Sequence, residues 1–158
     1  MPKQIINLKL NGHPHELAVE PHWTVLETVR EALCYTGSKE GCGTGDCGAC
    51  SIIVNGRLIT SCLMLAPQAD GCSITTIEGL SKNGTLHPVQ QAFVDSGGVQ
   101  CGFCTPGMVM AATALLERNK EPTLEEIRNG LAGNLCRCTG YTKIFEAVDL
   151  AAQRMRGS

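Results

Sequence analysis

The glycine-rich stretch GSKEGCGTGDCG at residues 37–48 constrains this chain more than any other segment. It has too much glycine for a helix and too few apolar residues for a strand, so it must be a loop wrapped around something. Cys42, Cys47 and Cys50 fall in or just after it, and Cys62 follows after eleven further residues. C-x4-C-x2-C with a remote fourth cysteine is the ligand pattern of a plant-type [2Fe–2S] cluster, in which one loop supplies three thiolates and a separate element the fourth. Gly41, Gly43, Gly45 and Gly48 suit that task, because they let backbone N–H groups turn toward bridging sulfides without side chains intervening.

A second set follows: Cys101-x2-Cys104, then Cys136-x-Cys138. Each pair stands where a helix is expected to begin, and helix N-termini favour anions. Taken alone, this spacing leaves two chemistries open, an iron–sulfur cluster or a structural zinc ion held by four thiolates. Arg137 and Lys143 are placed to offset negative charge there. The chain has ten cysteines in 158 residues, and MPKQIINLKLNG lacks the basic-then-apolar pattern of an export signal. We therefore expect a cytoplasmic protein with reduced thiols rather than disulfides. Cys34 and Cys72 belong to neither set and are expected to be buried, inert thiols. His13, His15, His22 and His87 lack mutual metal spacing, and Met108 and Met110 read as core filler.

Several function classes drop out. A formal net charge of -2 with no basic stripe gives no footprint for nucleic acid. The apolar run at residues 108–116 is far short of the roughly 20 residues that span a bilayer, so membrane insertion is not expected. No Ser/His/Asp grouping, Cys/His nucleophile pair or phosphate loop is present, so no catalytic residue is nominated.

Residues 4–20 alternate apolar and polar around Asn11-Gly12, which predicts a β-hairpin, and Thr24-x-x-Glu27 opens a short helix over 24–34. A second hairpin turns at Asn55-Gly56, and residues 73–79 read as a further strand. After residue 80 helical periodicity takes over, with helices expected at 88–96, 107–118, 123–131 and 141–155. The predicted class is α+β, with a small mixed sheet over residues 1–79 and a compact bundle of four helices over 80–158.

GCGTGDCGAC, the cysteine of SC62, QCGFCTPGM and GNLCRCTGY together resemble the small iron–sulfur subunit of the xanthine oxidase family of molybdenum hydroxylases, over nearly the whole chain. The resemblance implies a plant-ferredoxin-like β-grasp domain at 1–79 and a four-helix bundle domain at 80–158. It also implies two [2Fe–2S] clusters. Cys101, Cys104, Cys136 and Cys138 would hold the buried one nearest molybdopterin, and Cys42, Cys47, Cys50 and Cys62 the more exposed one facing FAD. Gln100 matches the residue whose amide contacts the pterin cofactor, and Cys138 the ligand close to the pterin amino group. The implied partners are a large molybdopterin-binding subunit and an FAD-binding medium subunit, in a hetero-oligomer such as a dimer of heterotrimers. A relay of single electrons from molybdenum through both clusters to FAD or an external acceptor is the implied function. A free-standing two-cluster ferredoxin and a zinc-stabilised interaction module are the alternatives.

Overall fold

Asn11 and Gly12 sit at φ 52° and 87°, and Asn55 and Gly56 at 49° and 77°. These are the paired left-handed residues that a two-residue hairpin turn needs if its twist is to match the strands. They join β1 (Gln4–Leu10) to β2 (His13–Val19) and β3 (Ser51–Val54) to β4 (Arg57–Thr60). β5 (Ser73–Thr75) lies between the hairpins, parallel to β1 and antiparallel to β3, and gives the order β2-β1-β5-β3-β4. This computed structural model describes residues 2–157, so residues 1 and 158, the ends of the two expected domains, lie outside the description.

Two expectations change in detail. The strand predicted at 73–79 ends at Thr75, and Ile77–Gly79 form a 3-10 turn because Ile77 leaves the sheet to pack against the helices. The helix predicted over 24–34 keeps its Thr24–Glu27 capping box but is α-helical only over Val25–Glu27, α1. It then widens into a π turn at Thr28–Ala32, where Leu33 N–H reaches back to Thr28 C=O. Widening releases the chain at Cys34, which adopts φ 59° and stands exposed, not buried as expected.

Ile6, Leu8, Leu10, Ile52, Val54 and Ile74 face α1 and its π turn, where they pack with Val25 and Val29. All four residues of β3 are buried. Its two faces are covered by different partners: Ile52 and Val54 face the sheet's own core, while Ile53 turns to Met110 and Ala114 of the helical half. That explains an apolar run where alternation would otherwise be expected.

The helices are α2 (Pro88–Asp95), α3 (Thr105–Arg118), α4 (Leu124–Gly130) and α5 (Thr142–Arg156). They enclose Val89, Phe93, Met108, Leu116, Ile127, Ile144 and Val148. α3 is the central element, buried from Gly107 to Leu116, because it packs on the other helices and on β3 at once. Met108 and Met110 are fully buried core residues. Among the described residues no helix is long and apolar enough to cross a membrane.

Candidate functional site

The loop before β3 is fixed from outside. The Arg30 guanidinium donates to the carbonyls of Thr36 (3.0 Å) and Ser38 (2.6 Å), and Gly37 N–H donates to Glu78 Oε1 (2.7 Å). Between these anchors and β3 the chain coils through Gly43, Gly45 and Gly48 at φ 68°, 84° and 66°. Space is as restrictive as dihedral angle here, since a Cβ on Gly41 would lie 2.8 Å from Cys47 Sγ. Thr44 N–H points at Cys42 Sγ, 3.4 Å away. Cys62 follows β4, and the Ser61 hydroxyl beside it donates to the Cys50 carbonyl (2.7 Å), which ties the fourth cysteine's segment to the loop.

The four thiols meet in pairs. Cys42 touches Cys47, Cys50 touches Cys62, and each pair feels the other's charge. Thr44, through its hydroxyl and its N–H, and then Cys47 draw Cys42 down to about 6. Burial raises Cys47, and burial together with the Cys50 thiol pushes Cys62 up to about 11.

The helical half repeats the arrangement with different elements. Cys104 is the N-cap residue of α3 and its side chain makes no capping bond, so the sulfur stays available. Cys101 touches Cys138, and Cys104 touches Cys136. Hydrogen bonding from the Phe103 backbone and then from Cys138 lowers Cys101, whereas contact with Cys101 raises Cys138. Burial and then Cys136 push Cys104 up to about 12. At Cys136 burial opposes ionisation, but the Thr139 hydroxyl and backbone outweigh it and the thiol is lowered.

This donor set fits a two-iron cluster at each place. A tetrathiolate zinc ion draws four sulfurs toward one centre. Here the thiols contact one another in twos, Cys42 with Cys47 and Cys50 with Cys62, Cys101 with Cys138 and Cys104 with Cys136, a donor set that would give each of two irons two thiolates. Loading would take thiolates and release the shared protons.

The two sets abut. Leu135 N–H donates to the Cys47 carbonyl (2.9 Å), so the residue before Cys136 is hydrogen-bonded to a cysteine of the first set. Asn134, 4% exposed, donates through Nδ2 to the Gly48 carbonyl (2.8 Å) and reaches Ser51 Oγ (3.2 Å). Gly48 itself is walled in by Gly133, Asn134 and Gly107 of α3. Asn134 and Leu135 stand within the motif GNLCRCTGY, but their bonds to a segment more than 80 residues away are not expressed by it.

Gln100, Cys101, Phe103, Leu135 and Cys138 are all exposed on the helical side. The burial expected for that set is therefore not supplied by this chain alone. Lys143, expected to offset negative charge at the cysteines, pairs with Glu146 at 2.5 Å, while His87 serves as the N-cap of α2. Cys72 is half-buried against the sheet core, where Asn55 Nδ2 donates to its sulfur (3.4 Å).

Residues 8–73 match the 2Fe-2S iron-sulfur cluster binding domain family, and residues 76–149 match the [2Fe-2S] binding domain family. The nicotinate dehydrogenase small FeS subunit of Eubacterium barkeri is 50% identical, with 98% of each chain covered. The xanthine dehydrogenase iron-sulfur-binding subunit of Escherichia coli O157:H7 is 50% identical, covering 90% of this chain and 91% of that one. A chain of quinoline 2-oxidoreductase from Pseudomonas putida 86 superposes with a TM-score of 0.95 at 41% identity, covering 100% of this chain and 99% of the other.

Proposed function

Since the chain belongs to the small iron–sulfur subunits of the xanthine oxidase family of molybdenum hydroxylases, we propose that its eight paired cysteines are the ligands through which it performs that family's electron transfer. The protein is the electron-transfer subunit of a molybdenum-containing oxidoreductase. Two [2Fe–2S] clusters, when bound, supply the one-electron capacity that links a molybdopterin centre to FAD or an external acceptor.

The remaining work falls to this chain's residues. Cys42, Cys47, Cys50 and Cys62 hold one cluster, and Cys101, Cys104, Cys136 and Cys138 hold the other. We place the division into two parts near residue 79; the family matches at 8–73 and 76–149 support two parts, with the second beginning at residue 76. The observation that carries the relay is the hydrogen bond from Leu135 N–H to the Cys47 carbonyl. It leaves one non-covalent step between ligand Cys47 and ligand Cys136, with the rest of the route covalent. The face around Gln100, Phe103 and Cys138 is exposed in the isolated chain and docks on the large molybdopterin-binding subunit, where Gln100 meets the pterin. A second exposed rim, with Cys42, Thr44 and Leu63, turns toward an FAD-binding medium subunit. Such an assembly is a hetero-oligomer, a dimer of heterotrimers in its symmetric form, in the cytoplasm. Relatives named for nicotinate, xanthine and quinoline support an N-heteroaromatic substrate for the complex.

Mixing the assembled complex anaerobically with its substrate, without acceptor, tests both levels. Both clusters should become reduced and visible by EPR; clusters left oxidised would contradict the relay. Gln100→Ala should slow that reduction about tenfold, the equivalent of one hydrogen bond of roughly 1.4 kcal/mol, while reduction by dithionite is unchanged. An unchanged substrate rate would contradict pterin contact alone.

A further inference from the structure

Thr139 directly follows one cysteine of the helical set and touches another. Its hydroxyl donates to Cys136 Sγ at 3.2 Å. Tyr141 N–H donates to Thr139 Oγ1 at 3.1 Å, and Cys136 N–H donates to the Tyr141 phenol oxygen at 2.9 Å. These bonds close a ring in which each residue serves the next. A hydroxyl has a single proton. With the Tyr141 amide supplying a proton to the oxygen, the hydroxyl's own proton is left to point at sulfur.

The ring is built at a conformational cost. Gly140 and Tyr141 stand at φ 62° and 69°, and the left-handed region is uncommon for a residue as bulky as tyrosine. With this reversal both the amide and the phenol of Tyr141 come back onto the Cys136 turn. The tyrosine ring is held from the far side by Phe145, with centroids 6.0 Å apart, and the Arg128 guanidinium lies 5.8 Å from the Phe145 centroid. Strain that packing over-determines in this way marks a position kept for a purpose.

We propose that Thr139 raises the reduction potential of the helical-half cluster through its hydroxyl hydrogen bond to the Cys136 sulfur, with Tyr141 as the residue that positions it. Reduction adds negative charge to the cluster and its thiolates. A donor fixed on one sulfur therefore stabilises the reduced form more than the oxidised form. The inference rests on the reading of Cys136 as a cluster ligand.

An EPR-monitored redox titration of the assembled complex tests it. Thr139→Val should shift that cluster's one-electron equilibrium about tenfold toward the oxidised form, a fall of about 59 mV in midpoint. Thr139→Ala, which adds no bulk, should do the same, and Thr139→Ser should restore the original value. The midpoint of the other cluster should stay fixed in all three. An unmoved midpoint in the valine or alanine variant, or an equal fall in the serine variant, would overturn the proposal. Should neither hydroxyl-free variant load, the unmodified complex decides: transfer into D2O should shift an iron–thiolate stretching band of this cluster, and no shift would overturn the proposal. Absence of a second cluster signal in the unmodified complex would instead defeat the ligand reading itself.

Discussion

Cys47→Ser is expected to remove one of two reduced-state EPR signals and to cut bound iron from about four per chain to about two. The other signal should persist. The first set hangs on the loop of residues 37–50 and the segment after β4, whereas the second hangs on the approach to α3 and the turn before α5. No cysteine is shared, so loss of a thiolate from one set leaves the donors of the other in place. Cys34→Ser and Cys72→Ser, outside both sets, should leave both signals unchanged. Turnover to an external acceptor should collapse in the Cys47 variant although the other cluster remains reducible, because the proposed relay leaves the chain through the cluster that Cys47 would hold. Loss of both signals from Cys47→Ser would contradict two independent sites.

Gly48→Ala should be among the more damaging single changes outside the cysteines. Gly48 sits at φ 66°, where an added Cβ costs roughly 1–2 kcal/mol. That Cβ would also run into the Gly133 carbonyl oxygen and lie 2.5 Å from Asn134 Nδ2. Backbone cannot swing aside as a side-chain tip can, so overpacking adds about 1–3 kcal/mol. The combined loss, about 2–5 kcal/mol, should lower the melting temperature by on the order of 10 °C in a calorimetric scan. Displacing residues 133–135 would also stretch the Leu135 to Cys47 hydrogen bond and slow electron exchange between the sets. Gly56→Ala is the control: its φ is 77° but a Cβ there meets nothing within 4 Å, so only the dihedral cost of roughly 1–2 kcal/mol applies. Equal losses at the two positions would show that the junction is looser than these contacts require.

The parts of the molecule that were legible in the sequence are those whose causes are local. Asn11-Gly12 and Asn55-Gly56 specify hairpin turns by their own backbone preferences. The boxes at Thr24–Glu27 and Thr123–Glu126 each satisfy helix N–H groups within four residues. Each cysteine set stood out in the sequence by its spacing, and the structure brings thiols of each set into contact. Readings failed where distant packing decided the outcome. The π turn and exposed Cys34 arise from how α1 must leave the sheet core, which its local apolar pattern does not express. Ile77 was read with the preceding strand, although its partners lie on α3 and among the other helices. Thr139 and Tyr141 were visible within CRCTGY, but no propensity announces that a tyrosine will take a left-handed φ to serve a cysteine five residues earlier.

Metal content, acid-labile sulfide and low-temperature EPR, measured together on one anaerobically purified sample, decide whether the chain carries two [2Fe–2S] clusters. Two loaded clusters give about four irons and four sulfides per chain and two distinguishable reduced-state signals. Zinc in the helical half, with about two irons and a single signal, would contradict the two-cluster reading.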